Sequence, residues 1–324
     1  KFMSLVIAYQ FLILCIGLYL VIKGADVLLT SAISIGKKIG VSDFFVGLII
    51  IGFGTSLSEL LVSIKAVLEN SPNLSVGNVI GSNISNVILV LGFALLISSI
   101  QFKNIKKFDI LFHLIIHLLF FIIFYFMNFN STFGYIFIIL FIFYIFRSLK
   151  SSSSNEVSNI ELEKNKISIL TFENPIRYGV PIIFLSILIT LMGAQLTVNS
   201  AIKISNILKI SESFLGLTII AIGTSLPEIA TSIRAAKRKK SEIIIGNIIG
   251  SNIYNLLLIL GASSLFKNFN YDKSILTTEV IFLVFCVFLL SILLAINFKF
   301  KKKQSLIFIF LYLIYLYNLY NSNF

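Results

Sequence analysis

GTSLSELLVSIKA at 54–66 returns as GTSLPEIATSIRA at 223–235, and GNVIGSNISNVILVLG at 77–92 returns as GNIIGSNIYNLLLILG at 246–261. The offset is 169 residues in both cases. It holds without a gap from 24–92 onto 193–261, where 31 of 69 positions are identical. Self-similarity of that density marks a chain built from two copies of one structural unit.

The surrounding composition says where those units sit. The chain has 324 residues, of which 57% are hydrophobic and 12% charged, with a mean hydropathy of +1.00. Soluble domains run at about 45–50% apolar and about 25% charged. A soluble enzyme, a disordered chain and a nucleic-acid binder are excluded on that ground. The net charge of +12 fits basic loops between apolar spans. Cys15 and Cys286 both lie inside apolar runs, where packing explains them without a disulfide.

A spanning helix needs about 20 mostly apolar residues. Such runs lie at 4–26, 44–68, 74–100, 108–127, 132–149, 176–202, 213–236, 242–266, 275–298 and 304–320. The expected fold class is therefore an all-α integral membrane protein with ten transmembrane helices. The first run is too long for a cleavable signal and is expected to continue as one tilted helix to Lys37. One sizeable polar break remains, KSSSSNEVSNIELEKNKISILTFEN at 150–174. It reads as a linker between a first five-helix half, 1–149, and a second, 175–324, with the repeated units at about 44–100 and 213–266.

Basic residues orient the spans. With ten spans, Lys37 and Lys38, Lys103 to Lys107, Arg147 to Arg177, Arg234 to Lys240, and Lys299 to Lys303 all fall on one side. The other side holds Lys1, Lys65, Lys203, Lys209, Lys267 and Lys273. The heavier side is cytoplasmic by the positive-inside rule. Both termini are then external, the linker is cytoplasmic, and the plasma (inner) membrane is the expected location. Five is odd, so the second half enters the bilayer upside down relative to the first. Two inverted five-helix repeats with matching Gly-interrupted segments are the layout of a secondary transporter with a midplane site.

Three acids lie deep in the spans. Asp26 matches Gln195 and sits near Lys23, so a local ion pair is expected there. Ser42-Asp43 and Ser211-Glu212 read as helix N-caps. Glu59 and Glu228 match each other across the repeat and have no basic residue at their depth. A charge at a helix centre costs at least about 2.5–3.5 kcal/mol, so it normally faces a polar cavity and a partner. A bound cation is the economical partner. Thr55, Ser56 and Glu59 stand at i, i+1 and i+4, and Thr224, Ser225 and Glu228 repeat this. Ser82 and Asn86, and Ser251 and Asn255, are i, i+4 pairs beginning in the Gly-Ser-Asn turns. Pro227 has no N–H and frees the carbonyl of Gly223. Taken singly, GTS or GSN would be close helix packing. As a set with the unpartnered glutamates they form an all-oxygen inventory that suits Ca²⁺ or Na⁺ rather than Zn²⁺ or Cu⁺. His113 and His117 are open to either packing or a metal or proton role.

At these residues the chain resembles the calcium/cation antiporter superfamily, and within it the prokaryotic-type sodium/calcium exchangers. Their G-T-S-x-P-E and G-S-N-x-x-[ND] motifs appear here as GTSLSE/GTSLPE and GSNISN/GSNIYN. The resemblance implies Ca²⁺/Na⁺ antiport by alternating access, with no cofactor beyond the transported ions. It further implies that Glu59 and Glu228 bind the ions directly. Thr55, Ser56, Ser82, Thr224, Ser225 and Ser251 would supply oxygens, Asn86 and Asn255 the last positions, and Gly52 and Ala221 backbone carbonyls. Two departures stand out. Ser58 replaces the usual Pro, so the first repeat is expected to be less broken than the second. Asn255 replaces a frequent Asp, leaving two carboxylates. Ca²⁺/H⁺ exchange on the same scaffold is the main alternative. A cation channel is another, and an intramembrane hydrolase at Ser56 or Ser225 lacks a base.

Overall fold

The computed structural model describes residues 2–68, 72–101, 105–127, 129–152, 175–207, 221–266, 271 and 273–322. Its helices are α1 (Phe2–Ile39), α2 (Asp43–Leu68), α3 (Pro72–Ile97), α4 (Lys107–Phe126) and α5 (Ser131–Ser152) in the first half. The second half has α6 (Pro175–Ile207), then α7, made of Ala221–Thr224 and Leu226–Lys237. It ends with α8 (Ser241–Phe266), α9 (Lys273–Ala295) and α10 (Ser305–Ser322). Among the described residues eight helices are long and apolar enough to cross a membrane. The chain is an integral, multi-pass membrane protein. The expected spans at 213–236 and 304–320 are not among the eight. The first is described only from 221 onward, and the second appears as α10. The linker beyond 152 lies outside the described residues.

As expected, α1 is one long helix. It ends at Gly40, whose φ of +73° is a left-handed conformation that glycine adopts without a Cβ penalty. The helix packs along α6 through small residues. A Cβ on Gly17 would meet Gly193 and Thr197, one on Gly24 would meet Ser186 and Thr190, and Ile35 lies against Gly179. Those contacts run in opposite directions along the two helices, so α1 and α6 are antiparallel. Gly24 and Gly193 are equivalent positions of the repeat. Lipid offers no hydrophobic drive for this pairing, and close approach through Gly, Ser and Thr supplies packing instead.

The most buried helices are α3 and α8, flanked by α2 and α7. On α8, a Cβ on Gly246 would strike the Phe44 carbonyl and one on Gly250 the Leu48 carbonyl. The backbones of α2 and α8 therefore touch. Ser42 caps α2, accepting from the Phe45 N–H at 3.2 Å, as expected. Ser211-Glu212 lies outside the described residues. Outside the helices, Ile100–Gln101 pairs antiparallel with Lys299–Phe300, tying the end of α3 to the end of α9.

Asp26 forms an ion pair, but not with Lys23. Arg238 donates to Asp26 Oδ1 at 2.8 Å, and Arg234 stands 4.0 Å away. Lys23 lies over the Tyr19 ring. Packing of α1 on α7 brings Arg238 to the carboxylate from 212 residues away. Lys240 likewise pairs with Asp43 at 2.7 Å, so the basic run 237–240 fastens two helix ends.

Candidate functional site

Both GTS segments break the helix at the same residue. Ser56 has φ −74° and ψ 2°, and Ser225 has φ −83° and ψ 2°. Helix resumes at Leu57 and Leu226, which places Glu59 and Glu228 third in a new helix. Unpaired N–H groups and the positive end of the helix dipole favour an acid there. The expectation of a weaker break in the first repeat is corrected. With Ser58 where the second repeat has Pro227, the first repeat breaks at the same residue, and Ser58 Oγ lies 3.0 Å from Thr55 O at the break.

Each glutamate is braced alike. Asn78 donates Nδ2 to the Glu59 carbonyl at 3.2 Å and to Ser63 Oγ at 2.9 Å. Asn247, its repeat equivalent, donates to the Glu228 carbonyl at 3.5 Å and to Ser232 Oγ at 3.1 Å. Sequence reading did not single out either asparagine. Their identity inside the repeated GNxIGSN block was the available signal.

The ten expected side-chain donors, all but the two backbone positions, are buried, none more than 7% exposed. The two halves interdigitate around them. Ser56 Oγ lies 3.5 Å from Glu228 Oε1, and Ser82 Oγ lies 3.4 Å from Thr224 Oγ1. Thr55 donates to Asn247 Oδ1 at 3.4 Å, and Ser251 Oγ reaches Gly52 O at 3.5 Å. Ser58, an unanticipated member, lies 2.8 Å from Glu59 Oε2 and 3.2 Å from Thr224 O. Gly52 O already accepts the Ser56 N–H at 3.1 Å. Ala221 opens the equivalent turn of α7.

The equivalent Asn83 and Asn252 form a reciprocal pair. Each amide donates to the other's backbone carbonyl, at 3.3 and 3.4 Å. Near this pair α3 and α8 widen, with looser hydrogen bonding over Asn86–Val90 and Tyr254–Leu260. Such π-turns recur at functional sites. Asn86 begins one, and Asn255 stands second in the other.

Among the described residues, the buried atoms of this region with no hydrogen-bond partner include Glu59 Oε1, Glu228 Oε2, Ser225 Oγ, Asn255 Oδ1 and both amide atoms of Asn86, with Oδ1 of Asn78 and Asn252 beside them. A buried carboxylate oxygen without a partner costs heavily, and a cation would satisfy it. A family description, sodium/calcium exchanger protein, matches residues 9–150 and 178–321. The chain belongs to the sodium/calcium exchanger family. Sodium/calcium exchanger MaX1 of Methanosarcina acetivorans is 32% identical over 323 residues, covering 90% of this chain and 91% of that protein. Inner membrane protein YrbG of Escherichia coli is 30% identical, covering 85% and 87%. The solved sodium-calcium exchanger NCX_Mj, soaked with Na⁺ and Ca²⁺, superposes with a TM-score of 0.79 at 32% identity, covering 94% and 97%. As a sodium/calcium exchanger by family, the chain is a cation antiporter rather than an enzyme by its kinship, and Ca²⁺ and Na⁺ are the ions its family implies.

Glu279 stands at the fifth residue of the apolar run expected at 275–298. It is 6% exposed, with Oε2 unpartnered. Its residue type at the seventh position of α9 carries no repeat equivalent that would have drawn notice.

Proposed function

We propose that the chain exchanges Ca²⁺ for Na⁺ by alternating access, as ten helices in two inverted halves, with Glu59 and Glu228 binding the ions directly. The observation that carries the reading is the pair of buried glutamate oxygens without protein partners, at equivalent points of the repeat. Two carboxylates neutralise one Ca²⁺. The hydroxyls of Thr55, Ser56, Ser82, Thr224, Ser225 and Ser251, with the amide oxygens of Asn86 and Asn255, offer the hard neutral donors that Ca²⁺ and Na⁺ take. Carbonyls at Gly52 and Ala221 complete the set. The antiparallel course of α1 and α6 and the reciprocal Asn83–Asn252 pair support inverted halves, 1–149 and 175–324, joined by the linker 150–174.

Radioactive Ca²⁺ uptake into proteoliposomes tests the coupling. An outward Na⁺ gradient drives uptake and a pH gradient does not. Uptake that needs the pH gradient instead would replace Na⁺ by H⁺. Downhill flux that ignores both would make the protein a channel.

The reading also places the linker in the cytoplasm of a plasma-membrane protein and both termini outside. In a background with Cys15 and Cys286 replaced by Ser, Ser152→Cys stays unlabelled by an impermeant maleimide on intact cells and reacts once they are opened. Labelling of intact cells would reverse the topology.

A further inference from the structure

His117 lies on α4, fully buried, and its ring is wired to the ion site. Its Nδ1 is 2.7 Å from the carbonyl of His113, and its Nε2 is 3.3 Å from Nδ2 of Asn83. Asn83 Oδ1 in turn accepts from Asn255 Nδ2 at 2.9 Å. The direction of every bond in this relay is fixed by chemistry. A carbonyl only accepts, so His117 carries its proton on Nδ1 and its Nε2 is an acceptor. Asn83 Nδ2 also faces the Asn252 carbonyl at 3.3 Å, which only accepts, so the amide nitrogen of Asn83 points toward α8 and His117. Its oxygen must then face Asn255. An amide oxygen can meet only a donor, so Asn255 turns its nitrogen to Asn83 and leaves Oδ1 over. That atom is buried with no protein partner. Asn86, the repeat equivalent of Asn255, has neither amide atom engaged.

We propose that His117 is a positioning residue: acting through Asn83, it holds Asn255 with its oxygen rather than its amide nitrogen presented to the cation. The inference rests on Asn255 being an ion ligand, as proposed above. It makes the two asparagines unequal. Asn255 is a preset donor, whereas Asn86 turns to meet the ion. It also gives the second of the two histidines a use that packing does not supply. Groups that orient a ligand in this way are worth about 10- to 100-fold in metal affinity.

The test compares the parent, His117→Phe, His117→Gln, Asn255→Ala and the double variant His117→Phe/Asn255→Ala. Two quantities are read: the Ca²⁺ concentration that half-stabilises the purified protein against thermal unfolding, and the KM and kcat of exchange. His117→Phe raises the half-saturating Ca²⁺ by about tenfold with little change in kcat. His117→Gln restores most of the affinity, because its side-chain oxygen accepts from Asn83. The double variant is no worse than Asn255→Ala alone, since the relay has nothing left to orient. An unchanged half-saturation in folded His117→Phe, or additive losses in the double variant, overturns the proposal. If His117→Phe does not fold, Asn83→Ser cuts the next link and is judged by the same criterion. Ca²⁺ stabilisation of a parent that shows no exchange would sink the antiport reading and leave this one standing. Normal exchange with an indifferent His117→Phe would do the reverse.

Discussion

Glu59→Gln and Glu228→Gln each abolish calcium exchange while the protein still inserts and folds. With one carboxylate gone, a bound Ca²⁺ keeps a net charge of +1 among buried side chains. Uncompensated buried charges of this kind cost about 3–5 kcal/mol, equivalent to a fall of at least about 100-fold in exchange at subsaturating Ca²⁺. The same change relieves a buried carboxylate of an unmet demand, so the thermal stability of the ion-free protein holds or rises. Flux and thermal unfolding measured on the same preparations check both halves. Near-parental flux in either variant would remove that glutamate from the site.

Gly250→Val destroys the folded protein. A side chain at that position meets the Leu48 carbonyl, and Gly246, one turn earlier, is held against Phe44 in the same way. Backbone cannot step aside as a flexible side chain does, so α2 and α8 must separate. Overpacking in cores commonly costs about 1–3 kcal/mol, and a backbone contact stands at the upper end or beyond. The separation also pulls Ser251 from Gly52 and Thr55 from Asn247, opening the ion site. Chromatography of the detergent-extracted variant shows aggregate in place of a monodisperse peak. A stable, monodisperse Gly250→Val would show that the two helices are not in backbone contact.

Much of this was legible in the chain alone, for physical reasons that act locally. Apolar run length decides which segments leave water. The 169-residue repeat declares two copies of one unit. Carboxylates lodged in apolar runs announce a charge that needs a partner, and Thr and Glu at i and i+4, with Ser flanking, mark a polar cluster on that stretch of the span. Where neighbours across space decide, the sequence was silent or misleading. Asp26 looked bound to Lys23, three residues away, and is held by Arg238, because α1 lies on α7. Ser58 looked like a missing proline and serves as a hydroxyl beside Glu59. His117 was open to packing or to a metal or proton role, and is joined through Asn83 to Asn255. Asn78 and Asn247 passed unnoticed as braces. Periodicity within one helix fixes which side chains share a face. The register in which two helices meet is set by where their backbones come close enough, at Gly17 against Gly193 and at Gly250 against Leu48, and only the packed structure decides that.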